Sequence, residues 1–142
     1  MRTPTAPAIV MTFKQSAALA LLALASVHLA GCGKEPVTAT QLAAEASKRA
    51  TLPLDLGDGF RLESITAEGN AVVSTVTVGD ASLASDPRFV EVMRTATTSD
   101  ICREIAPARQ AYIDAGLSIS KVYRTVAGAT IVRVDVRPAD CA

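Results

Sequence analysis

Three cysteines are the residues of this 142-residue chain with the widest choice of chemistry. Cys32 follows Leu29, Ala30 and Gly31 at the end of an apolar run, whereas Cys102 and Cys141 lie in the second half of the chain. A thiol can be modified, can act as a nucleophile once ionised, or can pair into a disulfide, and its neighbours decide which. Catalytic thiols lean on a C-x-x-C partner or an adjacent imidazole. The chain has no C-x-x-C, and its single histidine, His28, falls inside the apolar run that ends at Cys32.

That run decides what the first cysteine does. Residues 16–30 read "SAALALLALASVHLA", with His28 the only titratable side chain, and Arg2 and Lys14 precede it with no acid among them. A basic stretch, an apolar stretch and small residues before a cut make a secretory signal. A transmembrane helix would need about 20 apolar residues, and this run is shorter and rich in alanine. Met11 is an alternative start, since "MTFKQ" alone supplies the basic stretch. Leu29-Ala30-Gly31-Cys32 resembles the bacterial lipobox. The resemblance implies that the Cys32 thiol takes a diacylglycerol, that the bond before it is cut, and that the new amino group is acylated, with palmitate the expected chain. The alternative is a plain cysteine near an ordinary signal cut. Gly33 stands where inner-membrane lipoproteins often carry aspartate, so resemblance to that sorting rule points to the outer membrane. The expected organisation is a removed signal at 1–31, a lipid-anchored linker at 32–38 and a single domain at 39–142, facing the periplasm.

Removal of the signal takes away Arg2, Lys14 and no acid, leaving 14 − 2 = 12 basic residues against 14 acidic ones, a net charge of −2. No basic stripe remains to bind nucleic acid. His28 goes as well, and with it histidine triads and histidine-bound zinc. The nearest approach of two acids to a site is Asp55 and Asp58 in "DLGDG", where the interleaved Gly57 and Gly59 favour a turn over a calcium loop. No catalytic residue, metal or cofactor is expected, and the chain reads as a binding module, not an enzyme. In an oxidising compartment Cys102 and Cys141 are expected to pair. Their bond would close a loop of about 40 residues and add roughly 4 kcal/mol in the chain-entropy model.

The elements that position these residues follow from local signals. Thr38 and Gln41 have capping-box spacing ahead of good helix formers, so a first helix is expected over 39–50. Phe60–Thr66 and Ala71–Val78 are strand-forming runs around Gly69 and Asn70, which predicts a hairpin. Asp86 and Pro87 start a helix carrying Phe89, Met93, Ala96 and Ile101, and Pro107 stops it near Ala106. A break at Thr97–Ser99 is an alternative. A second helical piece ends at Gly116, and a second hairpin turns at Ala127 and Gly128, its last strand stopped by Pro138. The expected fold is α+β in the order α-ββ-αα-ββ, a four-stranded antiparallel sheet of two hairpins with helices packed on one face and one disulfide.

Four stretches carry a wider resemblance: "LPLDLGDGFRLESITAEGN", the helix with Cys102, "ARQAYIDAGLSISKVYR" with the glycine turn after it, and "PADC". Over residues 46–141 the chain resembles a group of small bacterial envelope lipoproteins that includes the beta-class pilotins of type II secretion. The resemblance implies a partner, the helical segment of a secretin subunit delivered to the outer membrane, and a groove for that helix with anchors at i, i+3, i+4 and i+7. It also implies Cys32 as anchor and Cys102–Cys141 as disulfide. Ile119 and Tyr123 are the candidate groove residues, with core packing beneath the helices as the alternative. Two other functions stand beside this one. A protective or inhibitory lipoprotein would use the loop at 78–87, and a carboxylate hydrolase would use Asp55 and Asp58.

Overall fold

The computed structural model describes residues 35–141; the signal, Leu29, Ala30, Gly31 and Cys32 lie outside them. Helix α1 (Ala39–Arg49) opens with the capping box: the Thr38 hydroxyl accepts from the Gln41 amide at 3.2 Å and the Gln41 side chain accepts from the Thr38 amide at 2.9 Å. Three of its four buried residues, Ala39, Ala43 and Ala46, are alanines, with Leu42 the fourth, so its backbone lies close on the sheet. Three strands follow, β1 (Leu54–Gly57), β2 (Phe60–Glu68) and β3 (Ala71–Val78), then a 3-10 turn at Ala81–Ser85. Helix α2 (Pro87–Ile105) starts on the Asp86 cap and runs unbroken through Thr97–Ser99. A 3-10 turn with Pro107 leads into α3 (Arg109–Asp114), and the chain closes with β4 (Ser118–Thr125), β5 (Thr130–Val136) and a 3-10 turn at Pro138–Asp140. Gly116, at a φ of 64°, ends α3: its amide reaches the Ile113 carbonyl and the Leu117 amide reaches that of Tyr112, the paired bonds of a Schellman cap.

The expected four-stranded antiparallel sheet is corrected in two respects. The sheet has five strands in the order β1-β2-β3-β4-β5, and β3 pairs with β4 in parallel, from Ala71 beside Ser118 to Val78 beside Thr125. The other three pairs are antiparallel, so the sheet is mixed and the order of elements is α-βββ-αα-ββ. Geometry accounts for the parallel pair. The 19 residues of α2 span roughly 28 Å at 1.5 Å each, and the 8 residues of β3 span roughly 26 Å. The helix therefore carries the chain back along the whole of β3, and β4 starts where β3 started. The extra strand, β1, forms because Gly57 and Gly59, at φ of 85° and 80°, and Asp58, at 52°, fold "GDG" into a turn tight enough to lay Leu54 beside Leu62.

The helices cover one side of this sheet, α1 over β2 and β3 and α2 over β5. Strand alternation sends Phe60, Leu62, Ile65, Val72, Val76, Val78, Ile119, Tyr123, Val132, Val134 and Val136 into the core beneath them. α2 contributes Phe89, Met93, Thr97, Ile101 and Ile105, a buried residue every fourth position. On the opposite side Arg133 of β5 donates to Glu68 of β2 at 2.9 Å and to Asp135 at 2.8 Å, while the buried Ser120 hydroxyl donates to Asp135 at 2.5 Å. Three strand spacings of about 4.8 Å separate β5 from β2, so this ion pair reaches across the parallel β3–β4 junction. It joins the N-terminal three strands to the C-terminal hairpin.

Candidate functional site

Ile119 and Tyr123 face the helices, as a groove would require, but with 4% and 5% of their surface exposed they belong to the core. The informative residue lies between them. Lys121 shares their side of β4 by alternation, so a lysine points toward the helices from the second central strand. Its neighbours in the sheet are Ser74 of β3 and Val134 of β5, and Ile65 of β2 pairs with Ser74. An otherwise apolar row is thus interrupted at its centre by a hydroxyl and an ammonium. Lys121 is half-buried on the helix-covered side, between the buried Ser74 and Val134.

One flank of α2 is polar too. Ala96, Asp100 and Glu104 recur every fourth residue and are half-buried, forming a flank of the helix beside its core-facing stripe. One carboxylate oxygen of Glu104, Oε2, is sealed from solvent without a hydrogen-bond partner. Burial raises the Glu104 pKa, the positive charge of Lys121 opposes that rise, and Asp100 adds to it. Among the described residues no ion pair forms between Glu104 and Lys121. Burial likewise raises Tyr112, with Glu104 reinforcing the effect.

Beyond Lys121 the row is apolar and sealed. The Tyr123 and Thr97 hydroxyls are 2.7 Å apart in a buried hydrogen bond, and burial pushes the Tyr123 pKa up to about 12. Phe60 meets Tyr123 edge-on at 6.4 Å and stacks on Phe89 at 6.3 Å, which seals that end of the core. The two ends of the hydrogen bond are not equivalent. A helical threonine can turn its hydroxyl to the carbonyl one turn back, whereas a strand tyrosine tip has no such recourse. Thr97→Val, which strands the Tyr123 hydroxyl, is therefore expected to cost about 1–3 kcal/mol, and Tyr123→Phe about 1 kcal/mol or less. Urea unfolding of the two variants measures the order; a costlier Tyr123→Phe would contradict it.

Glu104 carries a pH signature. A carboxyl whose pKa is higher folded than unfolded binds more protons when folded, so its ionisation removes stability as pH rises above its ordinary value of 4.5. Glu104→Gln is expected to raise the urea midpoint at pH 7, with a difference that shrinks toward zero as pH falls to the ordinary glutamate range. A midpoint difference independent of pH would show that desolvation of the carboxylate is not its cause.

The other sequence-marked residues are structural. Asp55 accepts from the Gly57 amide at 2.8 Å and Asp58 occupies a positive-φ position, so both shape the β1–β2 turn. Cys102 and Cys141 form the disulfide, their Cα atoms 5.4 Å apart. The stretch 78–87 is shortened by the 3-10 turn at Ala81–Ser85, capped by Asp80, and presents no long loop. Among the described residues no three metal-ligating side chains cluster, and no helix is long and apolar enough to cross a membrane. Among the described residues the exposed large apolar ones are Val92 on α2 and Val126 after β4. Lys121 escaped the sequence reading because "ISKVY" was read for its apolar members; a lysine at the midpoint of Ile119–Tyr123 alternation was the available signal.

No family model matches the chain, and no curated protein matches its sequence. Solved structures do match its fold. A secreted protein of Pseudomonas aeruginosa superposes with a TM-score of 0.61 at 12% identity, over 73% of this chain and 93% of that one. The pilotin EpsS of the Vibrio vulnificus type 2 secretion system gives a TM-score of 0.58 at 20% identity, over 73% and 88%. The type II secretion pilotin AspS of Vibrio cholerae gives 0.51 at 23% identity, over 72% and 88%. The mixed sheet with helices on one side is therefore a fold this chain shares with two type II secretion pilotins.

Proposed function

We propose that this chain is a periplasmic lipoprotein, anchored in the outer membrane through Cys32, that works as a pilotin-like binding module: it holds a helical segment of a secretin subunit and delivers that subunit to the membrane. The observation that carries the reading is the fold likeness over 88% of each of two pilotin chains, joined to a lipobox-like Leu29–Cys32 in the same sequence. An amphipathic partner helix would lay its apolar stripe against the domain.

The test is calorimetric titration of the purified protein with a synthetic peptide of the C-terminal helical segment of a secretin from the same organism. One-to-one binding in the micromolar range, about −8 kcal/mol, is expected. Absence of heat and of any spectral change up to about 1 mM peptide, the about −4 kcal/mol limit, would overturn the reading.

A further inference from the structure

We infer that the outer edge of β5 pairs with β5 of a second copy of this chain, antiparallel about Val134, so that two sheets join into one. The inference stands apart from the secretin reading. β1 and β5 are the two edges of the sheet. An edge strand presents unpaired amides and carbonyls to any passing strand, and short length, a bulge or a proline blunts it. β1 has all three: it is four residues long, its register shifts between Asp55 and Gly57, and Pro53 precedes it. β5 has seven residues without proline or glycine, and its irregularity lies at Ile131. From Val132 to Val136 it matches β4 residue for residue, and among the described residues no backbone hydrogen bond outside the sheet involves this stretch.

The occupant follows from the order of residues along this edge. Residues 132–136 read "VRVDV", with the valines buried and Arg133 and Asp135 exposed on the helix-free side. The stretch is symmetric in polarity about Val134 and opposite in charge. An antiparallel pair of copies centred there sets Arg133 of each against Asp135 of the other, two favourable cross-strand pairs. Val132 then meets Val136, and the apolar face beneath the two α2 helices continues across the junction. Competing registers lose this match. Centring on Arg133 or on Asp135 sets like charges face to face, and a shift of one residue sets Arg133 against Val134, a charge beside the core face. Asp135 also has an acceptor to spare: Ser120 and Arg133 both donate to its Oδ1, and among the described residues its Oδ2 takes no hydrogen bond. The two-fold uses up the open edge of each copy and leaves the blunted β1 strands outside, so the assembly stops at two.

Charge reversal tests the register. Protein expressed from the full chain, unaltered or carrying Arg133→Glu or Asp135→Arg, is studied by sedimentation equilibrium in a non-ionic detergent matched to the solvent density, after circular dichroism confirms that each variant is folded. A single strand pair is a small interface, so the unaltered protein is expected to pass from monomer to dimer mass between about 10 μM and about 1 mM. Each reversal alone brings four like charges together and should weaken self-association at least about tenfold. An equimolar mixture of the two variants sets opposite charges against each other again and should associate to within about threefold of the unaltered protein. Monomer mass throughout the range overturns the inference. So does equal association of both reversals, the result of two anchors sharing one micelle, and so does a mixture that stays monomeric. Should a reversed variant not fold, Arg133→Cys and Asp135→Cys take its place. Their mixture should form a disulfide-linked dimer on mild oxidation while neither alone does, because like positions lie on the diagonal, about 7–8 Å apart and beyond bridging distance. Crosslinking of either variant with itself as readily as in the mixture overturns the register.

Discussion

Replacing Cys102 and Cys141 together by alanine is expected to lower the unfolding free energy by about 4 kcal/mol. The bond joins residues separated by 39 positions, and in the chain-entropy treatment a loop of that length removes about 4 kcal/mol of freedom from the unfolded chain. A typical domain has only about 5–15 kcal/mol in total, so the bond accounts for a large share. The enclosed loop holds α3 and the whole β4–β5 hairpin, and the bond ties the last turns of α2 to the chain just beyond β5, the strand on which α2 packs. Nearby order depends on the same end of the molecule: Arg109 donates to the Pro138 carbonyl at 3.0 Å, and Cys141 is 3% exposed. Urea unfolding with and without reductant checks this. Unaltered protein should lose most of the difference on reduction, while the alanine double variant should not respond to reductant. A midpoint change equivalent to less than about 1 kcal/mol would mean that the reduced chain already holds the two ends together.

The α2 C-terminus that this bond secures was legible only in part. Asp86-Pro87 and Pro107 bracket α2 correctly because capping and the missing proline amide are local facts. Thr97–Ser99 left a break open, since their propensity is poor. The helix continues there because Thr97 is buried against Tyr123 and Ile101 and Ile105 pack below it, and tertiary burial outweighs a few tenths of a kcal/mol per residue. Strand β1 was hidden by its brevity: "LDLG" followed by "DG" offers turn residues before it offers a pattern. The parallel β3–β4 pair was hidden for a different reason. Alternation tells which residues share a face but not which strand lies alongside, and only the span of α2 against β3 supplies that. The same limit applies to the candidate site. Ile119 and Tyr123, read as exposed groove positions with core packing as the alternative, lie buried in the core, and that burial depends on where α1 and α2 come to rest.

Cys32→Ala is expected to move the protein from the membrane to the soluble periplasmic fraction while leaving its fold intact. Acyl chains contribute about 0.8 kcal/mol per buried CH₂, and two or more hold a protein where a single chain binds only marginally. With the signal removed the chain would carry a net charge of −2 by the count above, and among the described residues no helix is long and apolar enough to cross a bilayer. Seven residues, 32–38, separate the anchor from α1, a reach of at most about 25 Å. The tether would therefore hold the domain close to the membrane to which a bound subunit is to be delivered. An uncut signal could itself hold the Cys32→Ala protein on the membrane, so residues 33–142 placed behind a soluble secretory signal form the second arm. Both forms should show the urea midpoint of the unaltered protein, because the disulfide joins Cys102 to Cys141. Mass spectrometry of the unaltered protein should find the N-terminal cysteine carrying diacylglycerol and an acyl group. Membrane retention of the second form after an alkaline wash would overturn the lipid anchor, and the delivery role that depends on it.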